Sequence, residues 1–276
     1  MTARMTAVLP LLAMLAGVIS SGMARATNAQ DLYVSDAIVT GTGEENREIG
    51  FRECLEEVLV KVSGDQRVLA APALAPLIER AGSFVASFAY RDRLEGIPIH
   101  DEQGTHDRPH DLTCRYEPAT IDRLLDELGS RPWPQARPRI AVFLAVHDQK
   151  RSFMLTSDGE ESPYMAESLA AATVPLALEA RLPDRKTLTQ EKLGLDFLSS
   201  ERALQLERLA KAIGADVALV GTISWNDEAL GWIADWQLTE DAGKRYRWQI
   251  RGVSFDDAFR NAIRGAAQIL SGNGAP

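Results

Sequence analysis

Cysteine and histidine are scarce, two and four in 276 residues, too few for a multi-disulfide framework, and their spacing matches no zinc-finger pattern. The two cysteines form no Cys-x-x-Cys pair, which argues against catalytic redox chemistry. There is no Gly-x-Ser-x-Gly elbow, no phosphate loop ending in Gly-Lys-Ser/Thr and no His-Glu-x-x-His. Gly41-Thr-Gly43 invites a dinucleotide reading, but Asn46 stands where the third glycine belongs, so the segment reads as a turn. Basic charge is also short: 30 Lys and Arg against 39 Asp and Glu give a net −9, without the broad positive field that phosphate-backbone binding needs. Nucleic acid is therefore not an expected partner. Beyond the N-terminus no apolar run approaches the ~20 residues of a membrane-spanning helix, and neither an internal repeat nor a low-complexity tract is present.

What is present begins with a secretory signal. Arg4 supplies the positive start, Ala7 to Ile19 the apolar stretch, and Ala24-Arg25-Ala26 the small residues of a cleavage site, with Thr27-Asn28-Ala29 just downstream. Residues 1–26 are expected to be removed after position 26 or 29, and in a bacterium the destination is the periplasm, where disulfides are permitted. The mature chain has the length for two small domains.

The first, over 30–130, reads β-α-α-β-α. Leu32, Val34, Ile38 and Val39 mark a strand, and Thr42-Gly-Glu-Glu45 has the form of a capping box. Phe51, Cys54, Leu55, Val58, Leu59 and Val62 then line one helical face up to Ser63-Gly64. Pro72 to Tyr90 carries a second helical pattern weakened at Gly82, Leu112 to Tyr116 alternates as a strand, and Ile121 to Leu128 makes a short helix. Arg131 to Pro138, with three prolines in eight residues, is the expected linker.

The second domain, over 139–272 with a tail at 273–276, reads β-α-β-α-β-β-β-α. It comprises the Ile140 to Val146 strand, a helix at Met165 to Ala172, an apolar strand at Val174 to Leu178, a helix through Leu206, Leu209, Ala210 and Ile213 closed by Gly214, and a strand from Val217 whose most buried part ends at Gly221. Leu230 to Leu238 and Tyr246 to Ile250 pair as a hairpin, and Ser254 with Asp257 opens a last helix. The fold class is α/β, α+β overall, with a mixed sheet covered by helices. Alternation points Trp232, Trp236 and Trp248 at those helices, into the core.

Four groups of residues carry candidate chemistry. Cys54 and Cys114 lie on apolar faces of one domain; they are either two small hydrophobes or a bridge, which would close about sixty residues and stabilise by roughly 4 kcal/mol. His100, His106 and His110, each beside an aspartate, are metal-ligand types, yet their spacing fits no tight pattern and the segment reads as a solvated loop with no metal. His147-Asp148 ends the first strand of the second domain, the edge where α/β sheets place ligands. Arg245, Arg247 and Arg251 line the outward face of the last strand, with Asp235 on the adjacent strand as the expected partner.

Asp31-Leu-Tyr-Val, Glu57-Val-Leu-Val-Lys-Val-Ser-Gly64, the Arg137-Pro138 entry to a hydrophobic strand, and Gly214-Ala-Asp-Val-Ala-Leu-Val-Gly221 followed by Gly231-Trp232 and Trp236 resemble the proteobacterial secreted family catalogued as domain of unknown function two thousand and sixty-six. The Gly214 to Gly221 piece is also similar to the N-terminal domain of TolB and to the curli-secretion lipoprotein CsgG. The resemblance implies an envelope compartment and small α/β modules, but no reaction. Against that family, Cys54 replaces a small residue and Cys114 a β-branched one, two departures facing one core. The expected function is a periplasmic, non-enzymatic factor that binds other envelope proteins in envelope assembly or maintenance, without cofactor. The alternatives are a lipid- or glycan-binding module and an enzyme of unrecognised type.

Overall fold

The structure is a computed structural model and describes residues 32–97, 107–133, 136–195, 203–240 and 243–276. The expected signal segment, His100 and His106 lie outside the described residues, within which no helix is long and apolar enough to cross a membrane. The α+β class holds, with two sheets, each carrying its own helices.

The first sheet is antiparallel in the order β1-β3-β2, with β1 at Val34–Thr40, β2 at Val85–Asp92 and β3 at Pro109–Tyr116. Helix α1, Glu44–Ser63, lays its expected stripe on Ala37, Val39, Leu112 and Cys114 and ends at Gly64 with φ 70°, where the glycine N–H returns to the Val60 carbonyl. Two expectations are corrected here. Thr42 does not cap the helix: Gly43 holds that position with no side-chain bond, while Gly41 turns at φ 75° and donates to the Arg108 carbonyl, which places Thr42 in the turn. Glu44 and Glu45 instead put acid on the helix's first turn. The second helical pattern also stops early. Helix α2 covers only Leu74–Ile78, a 3₁₀ turn spans Ala81–Phe84, and Val85–Asp92 pairs with β3 along its length. The helix is already closed at Glu79, short of Gly82, and the open edge of β3 offers the later residues a ladder of bonds that a frayed helix lacks. Helix α3, Pro118–Glu127, completes a β-α-α-β-β-α unit.

In the second sheet β4, Arg139–His147, is central and buried along seven consecutive residues. β7, Val217–Asn226, runs parallel beside it; β8, Gly231–Thr239, and β9, Arg245–Val253, continue antiparallel, so β9 is the end strand. Short β5, Ser152–Met154, and β6, Glu179–Arg181, pair with the end and the start of β4 on its other side. The strand expected at Val174–Leu178 is a 3₁₀ turn over Val174–Leu176, with Ala177 at φ 50°, and pairing begins only at Glu179. Pro175 has no N–H to give a ladder. Helices α4, Pro163–Thr173, and α7, Phe255–Leu270, cover one face of the sheet; α5, Arg185–Gln190, and α6, Ala203–Ala212, cover the other over β4 and the start of β7.

Gly214 stops α6 as expected, at φ 78°, and the Ala215 N–H reaches back to the Ala210 carbonyl at 2.8 Å. The unbroken buried run of β7 ends at Gly221 as expected, and the strand itself runs five residues further. A Cβ there would lie 2.2 Å from Trp236 Cζ3, so the glycine is the seat of that indole, and Gly265 on α7 is the seat of Trp248 in the same way. Trp236 is buried against Phe259, as the inward reading of these tryptophans expects, although Trp232 and Trp248 are only half buried.

The entry of the parallel pair is pinned by Arg139 and Asp216: the Asp216 N–H donates to the Arg139 carbonyl, and the Arg139 N–H, Nε and Nη2 all donate to the Asp216 carboxylate. These bonds hold that carboxyl below its usual pKa of 3.8, the Arg139 side chain contributing most. A folded-state pKa below the unfolded one means the stabilisation is full above pH 3.8 and is lost as pH falls through the folded value. The melting temperature of Asp216→Asn should therefore lie below that of the parent at pH 6, and the gap should close as the pH is taken below 3.8; a gap constant across that range would contradict the assignment.

The two halves share one continuous core. The linker joins them closely. Trp133 is buried and its N–H donates to the Val62 carbonyl at 2.8 Å. Arg137 donates to the carbonyls of Lys61 at 2.5 Å and Leu176 at 3.0 Å, with its guanidinium 4.4 Å from the Trp133 ring centre. The expected tail is tied down as well: Ser271 packs on Gly64, and Asn273 Nδ2 donates to the Ser63 carbonyl at 3.1 Å.

Candidate binding surface

The far half of the second sheet has one covered face and one open face. On β8 and β9 the residues Trp232, Ala234, Trp236, Leu238, Tyr246, Trp248 and Ile250 turn towards α7. The alternate positions turn the other way, beyond the reach of α5 and α6, whose core takes in only Ala218 and Val220 from β7 and nothing from β8 or β9. Register then brings sequence-distant polar groups together. Thr222, Asp235 and Gln249 form one row across three strands; Val220, Gln237 and Arg247 form the next. All of these but Thr222 line a depression of about 570 Å³.

Within it the acid and the arginine do not pair. Asp235 accepts from Gln249 Nε2 at 2.7 Å, and Arg247 Nε donates to Gln237 Oε1 at 2.9 Å. Only Nε of that guanidinium is engaged; its remaining donors make no bond among the described residues, and beside Asp235 the Thr222 hydroxyl is buried without a partner among them. Arg245 and Arg251 are exposed and form no hydrogen bond or ion pair with the described residues. The expected Arg–Asp235 pairing is thus replaced by two amide-mediated bonds that fix the floor and leave cationic donors facing outward. Such a surface suits carboxylate and other anionic oxygen groups, which a guanidinium grips with parallel N–H donors. Gln237, Gln249 and Thr222 were not singled out from the sequence. Their only signal was polarity at every second residue of β7, β8 and β9, and register alone shows that they meet.

The other candidates lie elsewhere. Asp148 accepts from the N–H groups of Lys150 and Arg151 in the β4–β5 turn, bonds that hold its carboxyl below the usual range. His147 Nδ1 lies 2.8 Å from the Ser152 hydroxyl across the same hairpin. Both therefore serve the turn and do not join the arginine row. On the opposite face of that edge, half-exposed Trp225 packs edge-on to Trp232 at 5.7 Å, and Asp227 Oδ1 accepts from both its indole N–H and Gln149. His110 packs on Tyr90, with Nδ1 2.8 Å from the Arg108 carbonyl, while neighbouring Asp111 pairs with Arg91 and Arg93. Among the described residues no group of three or more metal-ligand side chains is assembled. Cys54 and Cys114 are brought together in the first core as buried thiols.

Residues 26–134 match the family model described as Domain of unknown function (DUF8605). The match spans the first sheet, its helices and the start of the linker, and leaves the open face of the second sheet outside it. No curated protein and no solved structure matches the chain.

Proposed function

We propose that this chain is a non-enzymatic binding protein of the bacterial cell envelope, which docks another envelope protein on the open face of β7, β8 and β9. One observation carries the reading: a sheet otherwise covered by helices leaves Arg245, Arg247 and Arg251 uncovered on its end strand, with no acidic partner among the described residues, beside a floor held by the Gln237 and Gln249 bonds. A preorganised cationic patch on a chain of net charge −9 selects an acidic partner and steers its approach. Arginine is also among the residues enriched at protein interfaces. The signal-like N-terminus and the resemblance to a secreted family support the compartment.

The test is site-specific photocrosslinking from Gln249 in intact cells. A discrete protein adduct is expected, weakened at high salt and lost in an Arg245→Glu/Arg247→Glu/Arg251→Glu variant whose circular dichroism and melting curve match the parent. An adduct indifferent to the charge reversal would overturn the reading. A second reading, glycan binding, draws on Trp225, whose indole is locked by Asp227 beside Gln149; such fixed aromatic faces flanked by amide and carboxylate groups suit sugar rings. Quenching of tryptophan fluorescence by soluble peptidoglycan fragments, abolished in Trp225→Ala, would favour it.

A further inference from the structure

The only two cysteines of the chain meet at one point of the first core, where helix and sheet approach closely. Ser35 and Cys114 are cross-strand partners on β1 and β3. The Ser35 hydroxyl donates to the backbone carbonyl of Cys54 at 2.8 Å, so a side chain of two heavy atoms spans from strand to helix backbone. Cys54 Sγ lies 3.7 Å from the Ser35 carbonyl and 3.8 Å from the Leu112 carbonyl, the two strand positions that flank Cys114 across and along the sheet. The largest influence on the Cys114 thiol is the neighbouring Cys54 thiol. Both residues are 0% exposed.

We propose that Cys54 and Cys114 are joined by a disulfide formed while the chain folds, tying α1 to the middle strand of the first sheet. The acceptor is an oxidised dithiol-disulfide exchange protein. One cysteine thiolate attacks its disulfide, giving a mixed disulfide and one acceptor thiol. The second cysteine thiolate then attacks the chain's own sulfur in that mixed disulfide, the S–S bond between 54 and 114 forms, and the acceptor leaves as a dithiol carrying the two electrons and two protons. No acceptor can reach sulfurs that are wholly enclosed, so exchange precedes the docking of α1 on β3. In protein that folds before bridging, the adjacent Cys54 sulfur and burial push the Cys114 thiol far up, which keeps it unreactive there. The bridge is a permanent tie, closed once, and not a reversible switch.

The proposal shares the envelope compartment with the reading above but none of its binding face. Full-length chain, expressed with its N-terminal segment, is fractionated, acid-quenched, denatured and alkylated. Envelope-fraction protein is expected to take up no alkyl group, to weigh about 2 Da less than the dithiol, and to accept two groups only after reduction. Closing a loop of about sixty residues predicts a melting temperature roughly 10 °C lower for the reduced protein and for Cys54→Ala/Cys114→Val. Two alkyl groups without reduction in the envelope fraction overturn the bridge and leave the binding face standing; free thiols in a chain confined to the cytosol overturn bridge and compartment together. For the timing, folded dithiol protein is incubated with oxidised glutathione: resistance until denaturant is added is expected, and prompt bridging of the native protein would overturn formation during folding.

Discussion

Gly221→Ala is expected to destabilise the protein by about 3 kcal/mol, the upper part of the range for overpacking a filled core. The added methyl would sit 2.2 Å from Trp236 Cζ3 and 3.2 Å from Leu144 Cδ1, both on fully buried side chains. Neither can retreat: Trp236 packs on Phe259 of α7, and Leu144 belongs to the central strand. The six-membered ring of the indole is the obstacle, so Trp236→Phe, which removes the atoms in conflict, should restore space for the methyl. In a double-mutant cycle by urea denaturation, Gly221→Ala/Trp236→Phe should be more stable than the sum of the two single losses predicts, by more than 1 kcal/mol. Additive losses would show that the strand yields instead of the ring.

Arg137→Ala should cost a similar amount, about 3 kcal/mol, because two buried carbonyls lose a charged donor at once. Those carbonyls, of Lys61 and Leu176, belong to different halves of the molecule, and the guanidinium also covers the Trp133 ring. Burial draws its pKa down to about 10, still well above neutrality, so the cation is present under ordinary conditions. Arg137→Lys should rescue little, since an ammonium on a flexible stem does not reproduce the planar fork that spans both acceptors. The readout that separates this role from plain core packing is the shape of unfolding: calorimetry should show a single transition in the parent and two in Arg137→Ala, as the halves lose their coupling. One undivided transition at lower temperature would argue that the joint is held by the apolar contacts alone.

Much of this was legible in the residues. The α1 stripe from Phe51 to Val62, the left-handed stops at Gly64 and Gly214, and the inward Trp236 all follow from local periodicity and a glycine at the right place. What escaped depends on partners distant in sequence. Val85 to Asp92 reads as a continuing helix until β3 is available to pair with it, and Gly221 reads as punctuation until Trp236 is seen to occupy the space where a Cβ would be. The arginine row was visible from period-two spacing in β9. That it lies uncovered, and that Gln237 and Gln249 separate Arg247 from Asp235, depends on strand register and on where α6 ends, neither of which local spacing encodes.

The contact of Asn273 with Ser63 links positions 210 apart in sequence. In a chain that crosses a membrane or leaves a ribosome N-terminus first, that contact becomes available only after about two hundred further residues have followed Ser63. At the C-terminal end of α1 the linker can cover the Lys61 and Val62 carbonyls earlier, through Arg137 and Trp133, whereas the Ser63 carbonyl waits for the residues after α7. The first half must therefore hold for that interval on its own helices and the linker, with this last tie at the end of α1 deferred until α7 is complete.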